Sequence, residues 1–465
     1  MKPYQIFKRM AAIIPSIMAV FLLTACEDFL EPETPLNQIE EQYVFTNENT
    51  ATAAVTTLYG KLRDQGFLSG SLYGDGLLMG LYADELDYYF FPGFDLESFY
   101  LHQVIPSNTA LNDLWNVPYN IIYSANAVLE GLEASSSLPP EVKSGLRGEA
   151  LFVRGLCHFS LVNYFGDVPY IKTTDYTYNT TVAKQSSQEV YEAIVVDLLE
   201  AQNLLGEEYI GNERVRPNSP VVTALLAKVY LYREEWDNAA AESSKLINNT
   251  ALYTLESDIN SVFLKESPST IWQFKPRNEG DNTLEGSNFI LTYAPPFITA
   301  LNPNLVMEME EGDLRRTNWI GEVSDGTNVY YFPNKYKQND NTGISMEYSK
   351  VFRLAEQYLI RAEARAMMGD LAGGQQDLNK VRNRAVLNNT EASTAEQLRD
   401  AVITERRFEL FTEFGNRWFD LKRTQKAEEI LSPIKPGWKN TDFLLPIPEA
   451  EILANPNLNP QNQGY

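Results

Sequence analysis

The stretch 221-VVTALLAKVYLYREEWDNAAAESSKLI-247 decides the fold. Its apolar residues fall at helical spacing, with Val222, Leu226 and Val229 before the polar run Arg233-Glu234-Glu235 and Ala239, Leu246 and Ile247 after it. Small and bulky residues keep a fixed order: Trp236 and Ala239 follow Ala227 at offsets of nine and twelve. The same two offsets recur at Ala362, Leu371 and Gly374, again around a short turn. Two copies of one spacing predict two helical hairpins built to one design.

Ala227, Tyr230, Trp236 and Ala239, and Ala362, Gly369 and Leu371, sit where a tetratricopeptide repeat places its packing residues, although Arg365 replaces the expected aromatic and Gly374 the expected alanine. Reading outward, four pairs of amphipathic segments emerge. The first spans Asn112 to Glu133 and Glu141 to Phe165, after the Pro139-Pro140 stop; the second, Gln188 to Leu205 and Val221 to Ile247. The third spans Tyr348 to Met368 and Ala372 to Ala385; the fourth, Thr394 to Arg406, continues through Phe408 toward Arg423. The expected fold is mainly α: tetratricopeptide-like hairpins stacked into a curved scaffold, with long irregular loops and a few short β-strands. The irregular stretches are Gly66 to Pro106, Val168 to Ser187 and Ile271 to Tyr348, and β-like runs occur at Ser269 to Phe274 and Asn328 to Phe332. Loops of this length in a folded body usually carry function.

The N-terminus reads as an export signal. Lys2, Lys8 and Arg9 precede an apolar run from Met10 to Leu23, too short to span a bilayer, that ends in Leu23-Thr24-Ala25-Cys26. Small residues before a cysteine suit cleavage and lipidation of its thiol, so 1–25 is expected to be a lipoprotein signal peptide with Cys26 acylated. Residues 26–41, with Glu27, Asp28, Glu31 and Glu33, form an acidic tether. The body then runs over 42–465, as an N-terminal part 42–215 and a C-terminal part 216–465.

Losing Lys2, Lys8 and Arg9 takes the formal charge from -24 to -27, which makes nucleic acid and anionic headgroups poor partners. With Cys26 acylated, Cys157 has no partner for a disulfide, so stability rests on the core. His102 and His158 are the two histidines. No His-Glu-x-x-His, Cys-x-x-Cys, EF-hand, Gly-x-Ser-x-Gly or phosphate-loop pattern is present, so neither a metal site nor a cofactor is expected. Aromatic residues are the compositional outlier at 12% of the chain, and rigid amphipathic rings suit binding surfaces.

Several blocks resemble the SusD/RagB family of outer-membrane nutrient-binding, starch-binding-like lipoproteins. They are Arg407-Phe408-Glu409-Leu410-Phe411-Thr412-Glu413, Arg417-Trp418-Phe419-Asp420-Leu421-Lys422-Arg423 and Leu445-Pro446-Ile447-Pro448 with Asn455 to Asn462. Arg154, Asn163 to Pro169, Leu114-Trp115 through Asn126, Asp313-Leu314-Arg315 and Lys335-Tyr336 add to them. The likeness covers nearly the whole mature chain. Glu405, Glu409 and Glu413 step by four, and Arg406, Arg417 and Arg423 are expected to bridge them, which makes these blocks fold-keeping. The resemblance implies a non-catalytic subunit, lipid-anchored at the outer membrane and facing the exterior, that captures glycans as the lid of a TonB-dependent barrel transporter. Oligopeptide capture by the same kind of lid, and a scaffold that binds only proteins, are the alternatives.

A sugar site needs aromatic platforms flanked by hydrogen-bonding groups. One cluster runs from Asp84 to Phe94 and on to Phe99 and Tyr100, where the family carries ligand aromatics; Asp84, Asp87, Tyr88, Tyr89, Phe90, Phe94 and Tyr100 are its candidates. The second lies in the insert 271–348, with Phe289, Phe297, Asn318 and Phe332 around the candidates Arg277, Asn288, Tyr293, Trp319, Tyr330 and Tyr331. Asp84, Glu85 and Asp87 raise the question of glycosidase carboxylates, which stand about 5 to 9 Å apart across a bond; adjacent acids are more often structural.

Overall fold

Side chains with a free acceptor open three of the long helices. Asn108 Oδ1 accepts from Leu111 N–H at the start of α4 (Thr109–Ala134), Ser186 and Glu189 form a reciprocal capping box on α6 (Ser187–Leu204), and Asn218 accepts from Val221 N–H on α7 (Ser219–Tyr232). The structure is a computed structural model that describes residues 41–465. The expected signal peptide, Cys26 and the tether before Glu41 lie outside the described residues.

The remaining elements in chain order are α1 (Glu48–Asp64), α2 (Asp75–Tyr82), β1 (Leu86–Tyr88), α3 (Asp95–Tyr100), α5 (Pro140–Phe165), α8 (Trp236–Asn248), β2 (Thr270–Phe274) and α9 (Leu284–Phe289). They continue with β3 (Thr299–Leu301), β4 (Ile320–Ser324), β5 (Val329–Pro333), β6 (Ser349–Arg353), α10 (Leu354–Met367), α11 (Leu371–Arg384), α12 (Ala395–Leu410) and α13 (Asn416–Arg423), with single-turn helices between. The fold is mainly α, as the periodicity predicts. Each long helix from α4 to α8 packs on the next, α8 packs on α10, and α10 packs on α11 and α12.

The two hairpins of equal spacing share their turn. Glu234 (φ 57°) and Gly369 (φ 85°) each follow a helix C-cap in the left-handed region, seven positions after Ala227 and Ala362. Gly374 also has a reason to lack a side chain: a Cβ there would lie 2.9 Å from the Ala362 carbonyl and 2.9 Å from Leu398 Cδ2. Glycine lets α11 close on α10, around a small cluster that includes Leu359, Leu378 and Val402.

Val221 to Ile247 forms the expected hairpin of α7 and α8. Three expectations are corrected. Gly66 to Pro106 holds α2, β1 and α3. The segment read as helix from Tyr348 opens with β6, which pairs antiparallel with β2, placing Gln273 opposite Lys350; its alternating pattern is masked because all five of its residues are buried. The fourth helix stops at Leu410 and resumes at Asn416, with Thr412, Phe414 and Gly415 at positive φ between them. Both β-like runs are strands, β2 and β5.

The last segments carry the largest buried charge network. Glu405 bonds Arg315 at 2.6 Å, Glu409 bonds Arg353 at 2.7 Å, and Glu413 bonds Arg353 at 2.9 Å. The expected partners face elsewhere: Arg406 meets Asp420 at 2.6 Å, Arg417 meets Asp84 at 2.7 Å, and Arg423 meets Glu363 at 2.7 Å. The blocks keep the fold, as expected, but through partners distant in sequence.

Candidate functional site

Four antiparallel strands in the order β1-β3-β5-β4 bring the two aromatic clusters together. Leu86 pairs with Leu301 and Tyr88 with Thr299, Leu301 pairs with Tyr331, and Tyr331 with Glu322. Side chains alternate across a strand, so Tyr331 shares the Leu86 and Leu301 face whereas Tyr330 takes the other. Tyr89, held to the sheet by its N–H to Ile298 O at 2.8 Å, meets Tyr330 edge-on with centroids 5.6 Å apart.

Beyond β1 the chain turns outward. Tyr88 donates its hydroxyl to Phe91 O at 2.8 Å, and Gly93, at φ 83°, donates its N–H to Glu97. The turn so fixed groups Phe90 with Phe91 (4.6 Å), Phe94 (5.1 Å) and Phe297 (4.9 Å). Phe91 is 68% exposed, Phe297 55% and Tyr89 40%, so the platform is open to solvent, and Tyr293, in the segment leading to Phe297, is 59% exposed. Single exposed rings are ordinary, whereas this many from segments 200 residues apart form an exposed apolar patch of the kind that marks interaction sites. Tyr330 donates its hydroxyl to Asp325 and Asp87 accepts from Asn302 Nδ2 at 2.9 Å, which sets polar groups beside the rings.

Other candidates lie elsewhere. Asp84 is 5% exposed and held by Arg417 and Arg407; burial alone would raise its carboxyl, but Arg417 and then Arg407 outweigh that and bring it down to about 2. Glu85 beside it is pushed up to about 8 by burial and the Asp84 charge, and accepts from Thr412 N–H. Both acids are buried away from the exposed rings. Trp319 is a core ring with no exposed surface, its Nε1–H donating to Ile259 O at 2.9 Å. Tyr100 is half-buried, stacked on Tyr88 with Lys435 over its face at 4.0 Å. Asn288 donates to Gly70 O at 2.7 Å, and Arg277 lines a separate cavity. Phe91 and Phe297, in the clusters but not singled out, are more exposed than Tyr88, Phe90, Phe94 or Tyr331. Their exposure depends on the sheet, and the sequence carries no sign of it.

Among the described residues no group of three or more His, Cys, Asp or Glu could hold a metal ion, and no helix is long and apolar enough to cross a membrane. His158 cannot serve as a general base: burial holds it near 3, its Nδ1 meets Arg154 O, and its Nε2 accepts from Ile171 N–H.

Residues 92–231 match a family model described as starch-binding and associating with the outer membrane, and residues 269–465 match the SusD family model. The SusD-like protein P2 of Formosa agariphila is 28% identical over 518 residues, spanning 97% of this chain and 99% of its own. Among solved structures, a SusD superfamily protein of Bacteroides vulgatus shares the fold at a TM-score of 0.79, with 23% identity over 90% of this chain and 100% of its own. A laminarin-binding SusD-like protein superposes at 0.77, with 25% identity over the same 90% and 100% of its own chain. With both models together spanning more than half of the sequence, and the fold of solved members followed along most of it, the chain belongs to the SusD family.

Proposed function

We propose that this chain is a non-catalytic glycan-binding protein of the outer membrane, anchored through lipid on Cys26 and facing the exterior. It captures poly- or oligosaccharides and hands them to a TonB-dependent barrel transporter. The observation that carries this reading is the platform of exposed Tyr89, Phe91 and Phe297 with half-buried Tyr330, joined by one small sheet from segments that the sequence keeps far apart. Sugar rings present apolar C–H faces that stack on such rings, and Asp87, Asn302 and Asp325 stand near to meet hydroxyls. The family's starch-binding description and the laminarin-binding relative support the ligand class. Of the three acids of the glycosidase question, Asp84 is buried and ion-paired and Glu85 is buried, which leaves Asp87 at the platform without a second acid from that trio to work across a bond.

Electrophoresis of the mature protein through gels containing laminarin, starch, mannan, xylan or galactan tests the reading. Retardation by at least one polysaccharide, lost in a Phe91→Ala/Phe297→Ala variant, is expected. Co-purified peptides with no retardation, or release of sugar by pure protein, would overturn it.

A further inference from the structure

A cavity of about 450 Å³ opens between the end of α1, the 274–287 segment and the 339–341 turn, and shares no lining residue with the aromatic platform. Its volume falls within the roughly 300–1,000 Å³ of small-ligand pockets. Its rim is preformed. Asn282 donates to Asp340 O and Thr342 Oγ1 and accepts from Met346 and Glu347 N–H, while Asp281 accepts from Asn278 and Asn341. Phe274, Pro276 and the 44% exposed Leu284 supply an apolar wall.

Glu285 stands on the inner wall, 7% exposed. Its Oε1 accepts from Ser349 Oγ, but Oε2 has no partner among the described residues. That oxygen crowds the lining residue Gly70, where a Cβ would run into it, so the glycine makes room for the carboxyl. Buried polar atoms nearly always have a partner, and an orphan beside a cavity is a place where a ligand completes the set.

We propose that this cavity is a second saccharide subsite, taking the end of a sugar chain with a hydroxyl on Glu285 and the ring against Phe274, Pro276 and Leu284. It rests on the glycan-binding reading. A hydroxyl both donates and accepts, so it satisfies Glu285 in either protonation state. An ammonium satisfies only the ionised acid, and a ligand carboxylate only the neutral one. Burial pushes Glu285 up to about 7, where both states are populated, which favours the hydroxyl. A long glycan that engaged platform and cavity together would gain from the high effective concentration of its second contact.

Titration calorimetry of the mature chain with maltotriose, laminaritriose, mannotriose and xylotriose tests the subsite. At least one trisaccharide is expected to bind at two sites. Phe91→Ala/Phe297→Ala leaves one site, and Glu285→Leu weakens the other at least tenfold. Leu284→Trp, which plugs the cavity from its exposed rim and spares the buried wall, gives the same loss if Glu285→Leu fails to fold. One site in the wild type, abolished by the platform variant, overturns the subsite and leaves the platform intact. Two sites that survive Leu284→Trp also overturn it. A chain that binds no saccharide in gels or in calorimetry overturns the glycan reading and this subsite together.

Discussion

Arg353 Nη1 lies 2.7 Å from Glu409 Oε1, and both side chains are buried where β6 runs into α10 and α12 ends. Burial alone would raise the glutamate's carboxyl, but Arg384, Arg353 and Arg315 outweigh it and hold the group ionised far below the usual carboxylate range. One acid thus ties three segments that are separate in sequence. Removing one partner of a buried pair strands the other's charge at a cost of about 3–5 kcal/mol. Arg353→Ala and Glu409→Ala are each expected to lower the urea-unfolding free energy by that order, and the double variant by less than their sum. Additive losses would show that the pair is not coupled.

Asp84 makes stability sensitive to acid. Its folded value of about 2 lies below the ordinary value of about 3.9, so its ion pairs stabilise the fold above pH ~4 and lose that contribution as pH falls toward 2. The linkage amounts to about 2 kcal/mol. Asp84→Asn should be less stable at pH 6 and show a flatter decline between pH 4 and 2 in urea titrations.

Asp75 works in the opposite direction. Burial raises it to about 8, outweighing the opposite pull of the hydroxyl that Tyr164 donates to the carboxyl, so folding favours the protonated acid. The folded value exceeds the unfolded one, hence stability is full below pH ~4 and declines as pH rises toward 8. Asp75→Asn keeps an acceptor for Tyr164 and cannot ionise. Its unfolding free energy is expected to vary less between pH 5 and 8 than that of the wild type; an unchanged slope would count against this assignment.

Two aromatic substitutions of similar chemistry should separate binding from stability. Phe91→Ala removes an exposed ring, so glycan affinity falls about two- to twelvefold, from roughly 0.5–1.5 kcal/mol per aromatic contact, while thermal unfolding stays near the wild type. Trp319→Ala empties a core site and costs about 3–5 kcal/mol of stability. A stable Trp319→Ala protein with lost binding would return that tryptophan to the site.

Cys26→Ser tests the anchor that the N-terminal sequence implies. Folded, soluble protein released from the membrane fraction and unable to support glycan uptake is expected. Normal uptake would make the lipid dispensable.

The helices and their hairpin spacing were legible in the sequence because each depends on neighbours a few residues away. Periodicity, caps such as Ser186 with Glu189, and the turn seven residues after Ala227 or Ala362 are all local. The fold-keeping blocks near the C-terminus were legible for the same reason, as was the gathering of aromatic residues in two stretches of the chain. Which arginine meets which glutamate was not. Glu405 and Glu409 keep their helical step, but Arg315, Arg353 and Arg384 arrive from other segments, and only packing selects them. The rings divide in the same way. Trp319 and Phe297 read alike in sequence, yet one is sealed in the core and the other stands on the platform, because exposure belongs to the neighbours a ring acquires. Tyr89 and Tyr330 meet only because β3 lies beside both β1 and β5, a pairing set by the whole fold.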